Sequence, residues 1–175
     1  MWVYTAPGGY IRNSLDITCF LAGGITNCKN WQESTLLYLS SIEKSGIDLS
    51  HLVIFNPRRD NFPINDPTAA EEQIKWEFDK LNDCDIFSMF FAESESDQPI
   101  CMYELGRHLL CEHKAFIIGI EDGYKREQDV LIQTKLATNG SIVPIKHASP
   151  LIQAINISQT YLKLTGKSQI NPSSS

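Results

Sequence analysis

Glu104 stands in the run Cys101-Met-Tyr-Glu-Leu-Gly-Arg107, in the first turns of a helix predicted to follow an apolar strand. A carboxylate there is favoured by the positive end of the helix dipole, an effect of roughly 0.3–1 kcal/mol. That alone can account for it. The chemical reading is that an ionised, poorly solvated carboxylate attacks a sugar anomeric carbon and holds a covalent glycosyl intermediate. Gly106, two residues on, leaves backbone room beside it. Glu77 and Asp79 lie in Trp76-Glu-Phe-Asp79 on the preceding predicted helix. They form either a solvated face or a pair of carboxylates able to hydrogen-bond a purine or pyrimidine edge, or to move its proton. Arg58-Arg59-Asp60 directly follows another predicted strand. Arginine forks suit phosphate or carboxylate, and the same pair also serves as ordinary surface charge.

These residues need a frame, and the apolar pattern supplies one. Runs at 16–22, 51–55, 85–91 and 114–120 read as buried strands, with a short fifth at 141–144. Helices are predicted over 30–45, 68–82, 100–111, 128–137 and 150–164. In the second of these Thr68 and Glu71 form a capping box, and Ile74, Phe78 and Leu81 share one face. Alternating strands and helices imply an α/β fold with a five-stranded parallel sheet covered on both faces. Ligands of such sheets bind beyond the C-terminal strand ends, where strand order reverses. That rule selects residues 23–27, 56–60, 92–104 and 121–123 before any chemistry is considered. It brings Gly23 and Gly24 together with Arg58-Arg59-Asp60 and Glu104. Residues 1–15 read as an N-terminal extension, 16–165 as the domain, and 166–175 as a flexible tail.

Composition excludes several classes. The chain has 175 residues and a net charge of −6 from 15 basic and 21 acidic residues, which argues against a duplex nucleic-acid partner. No apolar run approaches the roughly 18–20 residues that span a bilayer, so no membrane partner is expected. The N-terminus lacks the basic start and long apolar stretch of a signal peptide, and a cytoplasmic location is expected. The five cysteines include no C-x-x-C pair and read as reduced, mostly buried thiols. There is no G-x-G-x-x-G, no G-x-x-x-x-G-K-[ST], no G-x-S-x-G and no H-E-x-x-H. Neither a cofactor nor a metal site is expected.

Five segments, in order, resemble the nucleoside 2-deoxyribosyltransferase-like family. They are Phe20-Leu-Ala-Gly-Gly-Ile25 followed by Trp31-Gln32; Asn56-Pro-Arg-Arg59; Gln73-Ile-Lys-Trp-Glu77 leading into Cys84-Asp85; Tyr103-Glu-Leu-Gly106; and Asp129-Val-Leu-Ile-Gln-Thr-Lys-Leu-Ala137. The resemblance implies a flavodoxin-like three-layer sandwich with strand order 2-1-3-4-5, and a homo-oligomer. It implies cleavage of the N-glycosidic bond of a small-molecule nucleoside or nucleotide, with transfer of the (deoxy)ribosyl group between bases. Glu104 then matches the nucleophile, Glu77 the acidic residue that meets the base, and Gly23 and Gly24 the loop that approaches the sugar. Asn139 is a candidate for an asparagine that enters a neighbour's site. A tyrosine that positions the nucleophile in the family falls near Cys19 here, with Tyr103 a candidate for its role. An acidic position six before the nucleophile is Gln98. Hydrolysis of nucleotides or NAD, and nucleotide binding without turnover, are alternatives at this level.

Overall fold

Each apolar run at 16–22, 51–55, 85–91 and 114–120 forms a strand in a computed structural model of the protein, which describes residues 1–63 and 65–166. In chain order the elements are β1 (Trp2–Thr5), β2 (Ile17–Gly23), α1 (Trp31–Lys44), β3 (Leu52–Asn56), α2 (Pro67–Asp83), β4 (Ile86–Phe91), α3 (Pro99–His108), β5 (Ala115–Ile120), α4 (Glu127–Ala137) and α5 (Pro150–Leu164). The sheet is wholly parallel, in the order β1-β3-β2-β4-β5. This is the α/β parallel sheet that the pattern predicts, in the flavodoxin-like class that the resemblance implies. No helix among the described residues is long and apolar enough to cross a membrane.

The fifth strand is not where the sequence placed it. Residues 141–144 form no strand, and a single isolated bridge follows them, Gly119 to Ile145, on the outer side of β5. Pro144 has no N–H to give a ladder, and the run is short. The opposite edge is occupied instead by β1, paired from Trp2 on Val53 to Thr5 on Asn56. Part of the segment read as an N-terminal extension is therefore in the sheet. Gly166 is described, whereas the rest of the expected flexible tail, 167–175, lies outside the described residues.

Strand parity splits the interior in two. Phe20, Ala22, Phe55, Phe87 and Met89 face a layer built with Trp76 of α2, Leu105 of α3 and Val130 of α4. Cys19, Leu21, Ile54 and Phe90 face the layer made by α1 and α5, where Trp31, Leu39, Ile157 and Tyr161 are fully buried. Helix α2 is capped by Asp66, two residues ahead of the expected cap Thr68, with Asp66 accepting from the Thr68 N–H at 2.9 Å. Its buried face also differs from the expected stripe. Ala69, Trp76 and Leu81 turn inward, while Ile74 and Phe78 are 65 % and 48 % exposed. One large ring at Trp76, tied by its Nε1–H to the Gly8 carbonyl at 2.8 Å, decides the helix rotation. The cysteines are all free, three of them buried.

Asp85, just ahead of β4, fastens the two central strands. Its Oδ2 accepts from the Thr18 N–H and hydroxyl at 2.8 and 2.9 Å, and Arg12 closes on both oxygens at 2.7 and 2.6 Å. Burial works to raise its pKa, but the hydrogen bonds from Arg12 and Thr18 outweigh it and hold the carboxyl below its usual range. The ionised form is thus bound in the folded state. Its contribution is complete at neutral pH and is lost as pH falls through the lowered pKa. Asp85→Ala is expected to lower stability by about 2–3 kcal/mol at pH 7. In urea denaturation curves the gap from wild type should narrow below pH 3.8, the carboxylate's ordinary value.

Candidate active site

Beyond the C-terminal ends of β2, β3 and β4 lies a cavity of about 300 Å³, bordered by Gly24 and Thr26, Pro57, Glu77, Gln98 and Glu104. It sits between β2, whose connection runs to β3 on one side, and β4, whose connection runs to β5 on the other, as expected for this sheet type. Its volume is at the small end of the range for small-molecule sites.

At the end of β2 the wall is bare backbone. Gly23 has φ +150°, and a Cβ there would strike the Phe90 carbonyl and, at 2.7 Å, the Trp31 ring. A Cβ on Gly24 would come within 2.7 Å of the Gln98 carboxamide and 2.5 Å of Cys28 Sγ. Any larger residue would displace the elements that shape the cavity. Trp31 donates from Nε1 to the Gly24 carbonyl at 3.1 Å, and Gln98 Oε1 accepts from the Gly24 N–H at 3.1 Å.

Gln98 also sets up α3. It is 4 % exposed, caps the helix with a left-handed φ of 50°, and donates from Nε2 to the Ala92 carbonyl at 2.6 Å. Pro99 opens the helix with φ already suited to it. The turn that follows puts Cys101 and Glu104, three residues apart, on the cavity side. No described residue offers the Glu104 carboxylate a hydrogen bond or ion pair. Burial first, and the Glu77 charge second, push its pKa up to about 7, with Arg107 pulling weakly the other way. Arg107 is turned outward, 4.0 Å from the Phe78 ring centre and donating to Asn82 Oδ1 at 2.8 Å. Burial also raises Glu77, offset in part by a hydrogen bond from Gln73. The Gln73 amide donates to Glu77 Oε1 and to the Pro57 carbonyl, both at 2.7 Å, and so fixes the carboxylate against the β3 loop.

The structure therefore brings Gly23, Gly24, Glu77, Gln98 and Glu104 to one cavity. It places the other candidates elsewhere. Arg58 folds back on the glycine loop, with Nη2 3.0 Å from the Ile25 carbonyl and 3.2 Å from those of Cys28 and Lys29. Arg59 stacks over Phe62 at 5.4 Å. Asp60 is exposed, and Asp79 pairs with Lys75 at 3.1 Å. Tyr103 is 68 % exposed on the outer side of α3. Asn139 lies in the turn after α4, beside a separate hollow bounded by Lys114 and Phe116 at the start of β5. That is the opposite end of the sheet from Glu104. Cys19 is fully buried in the α1/α5 layer, so parity alone keeps position 19 from the nucleophile. A Cβ on Gly106 would meet nothing within 4 Å, so this glycine does not make room for the site.

Sequence reading missed Gln73, whose signal was its four-residue spacing from Glu77, and Cys101, three residues before Glu104. No group of three or more His, Cys, Asp or Glu among the described residues is placed to hold a metal ion.

The chain matches the family described as "Nucleoside 2-deoxyribosyltransferase like" over residues 16–124. A search of curated proteins returned no match. The matched stretch begins just ahead of β2, ends in the loop after β5 and contains both cavity glutamates. With more than half its length carried by that match, the chain belongs to the nucleoside 2-deoxyribosyltransferase-like family.

Proposed function

We propose that the protein cleaves the N-glycosidic bond of a nucleoside and transfers the (deoxy)ribosyl group to a second base through an ester on Glu104. The single observation that carries this reading is the unpartnered Glu104 carboxylate, facing a desolvated cavity that also contains Glu77. Family membership supports glycosyl transfer in general.

The steps follow from the two carboxyls. Ionised Glu104 attacks C1′ as the C1′–N bond breaks, and the bonding pair moves onto the base. Neutral Glu77 gives the leaving ring nitrogen its proton. The glycosyl-enzyme ester then meets a second base, whose nitrogen attacks C1′ while Glu77 takes back a proton and Glu104 departs. Two inversions give net retention. Water in place of the second base would make the same site a hydrolase, so exclusion of water during the ester's lifetime favours transfer. Arg58 spends N–H groups on loop carbonyls, which favours a nucleoside over a nucleotide. The outlying Asn139, and the exposed apolar Ile74, Phe78 and Tyr103, are consistent with a homo-oligomer in which neighbours meet.

Incubation with 2′-deoxyinosine and adenine should yield 2′-deoxyadenosine. Release of hypoxanthine without deoxyadenosine would indicate hydrolysis, and thermal stabilisation by nucleosides with no turnover would indicate a binding protein. Glu104→Ala should reduce turnover at least ~10³-fold.

Two pH effects follow. Neutral-base cleavage needs one proton on the glutamate pair, so kcat/KM should rise and then fall with pH, the fall lying near 7, where the pair gives up its last proton. The raised pKa also means that ionising Glu104 weakens the fold. This penalty is absent below the ordinary value of 4.5 and complete above about 7. Glu104→Gln, which cannot ionise, should melt on the order of 2–6 °C higher than wild type at pH 8, and no higher at pH 4. A Glu104→Gln protein that melts lower at pH 8 would show that the carboxylate is not held in a desolvated site.

A further inference from the structure

The cavity has a charge imbalance that bears on what enters it. Among the described residues that border it are two carboxylates, Glu77 and Glu104, and no Lys, Arg or His. The nearby cations are turned away. Arg58 is bound to the carbonyls of the glycine loop, Arg59 lies over Phe62, and Arg107 lies over Phe78 with a donor on Asn82. The remaining polar groups that face the pair are neutral: the Thr26 and Ser96 hydroxyls, the Gln98 carboxamide and the Cys101 thiol. Gln73 reaches Glu77 from the same helix, again without charge. The positive end of α3 opens here too and contributes about half an elementary charge. That offsets less than one of the two carboxylates. The rest of the wall is apolar, from Phe20, Ile25 and Pro57. A cavity with this make-up repels anions, tolerates neutral bases only by keeping a proton of its own, and attracts a flat cation.

We propose that, on the reading above, the preferred substrates are nucleosides whose base carries a permanent positive charge at the glycosidic nitrogen, as in a pyridinium nucleoside. The chemistry balances without a proton. Glu104 attacks C1′, the C1′–N bond breaks, and its electron pair neutralises the ring nitrogen, releasing an uncharged base and leaving the glycosyl ester. The positive charge passes from the ring to the anomeric carbon as the bond stretches, so it moves toward Glu104. Glu77 then has no proton to deliver. Ionised, it holds the cationic ring electrostatically, which is a different task from the one that a neutral purine sets it.

Charge can be tested apart from shape with N1-methylnicotinamide, a cation, and nicotinamide, its neutral counterpart. By calorimetry at pH 8 the cation should bind at least ~10-fold more tightly. The advantage should shrink at pH 5 and in Glu77→Gln. For turnover the substrates are nicotinamide riboside, its 2′-deoxy analogue, and 2′-deoxyinosine. Cleavage of the pyridinium nucleosides should rise through about pH 7 to a plateau, without the falling limb expected for deoxyinosine. Equal affinity for the two nicotinamides, or a cation preference untouched by Glu77→Gln, overturns the inference. So does cleavage of deoxyinosine with no cleavage of either pyridinium nucleoside, an outcome that leaves the glycosyl-transfer reading intact. Failure to cleave any of the three would overturn that reading as well.

Discussion

Desolvation of two carboxylates that share one cavity, sharpened by the charge of one on the other, is the constraint around which this protein is organised. Water would relax Glu104 and Glu77 at once, and so would an arginine between them. Burial desolvates Glu104, and the described residues that border the cavity include no Lys, Arg or His. Glu104 has no partner among the described residues, and Glu77 has only the neutral amide of Gln73. The consequence is a proton that stays on the pair far above the ordinary carboxylate range. Such a site costs a few kcal/mol when fully ionised, within a folding margin of about 5–15 kcal/mol. A sheet buried on both faces, with rings such as Phe20, Phe55, Phe87 and Phe90 fully covered, supplies that margin.

The loops around the cavity are fastened to one another instead of being left to the ligand. Gln98 joins the glycine loop to the end of β4, Arg58 joins the β3 loop to the same glycine loop, and Glu121 ties two more. Its Oε2 accepts from the Glu93 N–H at 2.8 Å, while Oε1 pairs with Lys29 at 2.5 Å. These bonds keep Glu104 facing empty space, where an unsupported carboxylate would swing toward solvent. Preorganisation of this kind makes a desolvated charge useful, because nothing has to be rearranged when the sugar arrives.

The sequence made much of this legible, unevenly. The four strands from β2 to β5 are apolar runs of five to seven residues, and their pattern allows few other readings. Trp2–Thr5 is four residues long, half exposed and followed by Pro-Gly-Gly, so only its pairing with β3 identifies it as a strand. The run at 141–144 has the right composition but contains a proline where a ladder needs a donor. In the site, Glu104 and the two glycines could be read because the strand-end rule and a motif agree on them, and Glu77 because a motif contains it. Arg58 could not. A guanidinium near a crevice suits an anion on paper, and only the backbone carbonyls closing around it show that its task is internal. Cys101 and Gln73 carried only their helical spacing from Glu104 and Glu77, since a thiol and an amide on a helix are ordinary until a cavity opens beside them.

The alternation of β2 leads to one last point. Position 19 belongs to the far layer and position 20 to the cavity, so a phenol able to steady the nucleophile from this strand would have to stand at an even-numbered position. An aromatic ring is already there. Phe20 presents to the cavity the carbon skeleton of a tyrosine, one oxygen atom short, so a single-atom addition on this strand is all that separates the present wall from one that can hydrogen-bond.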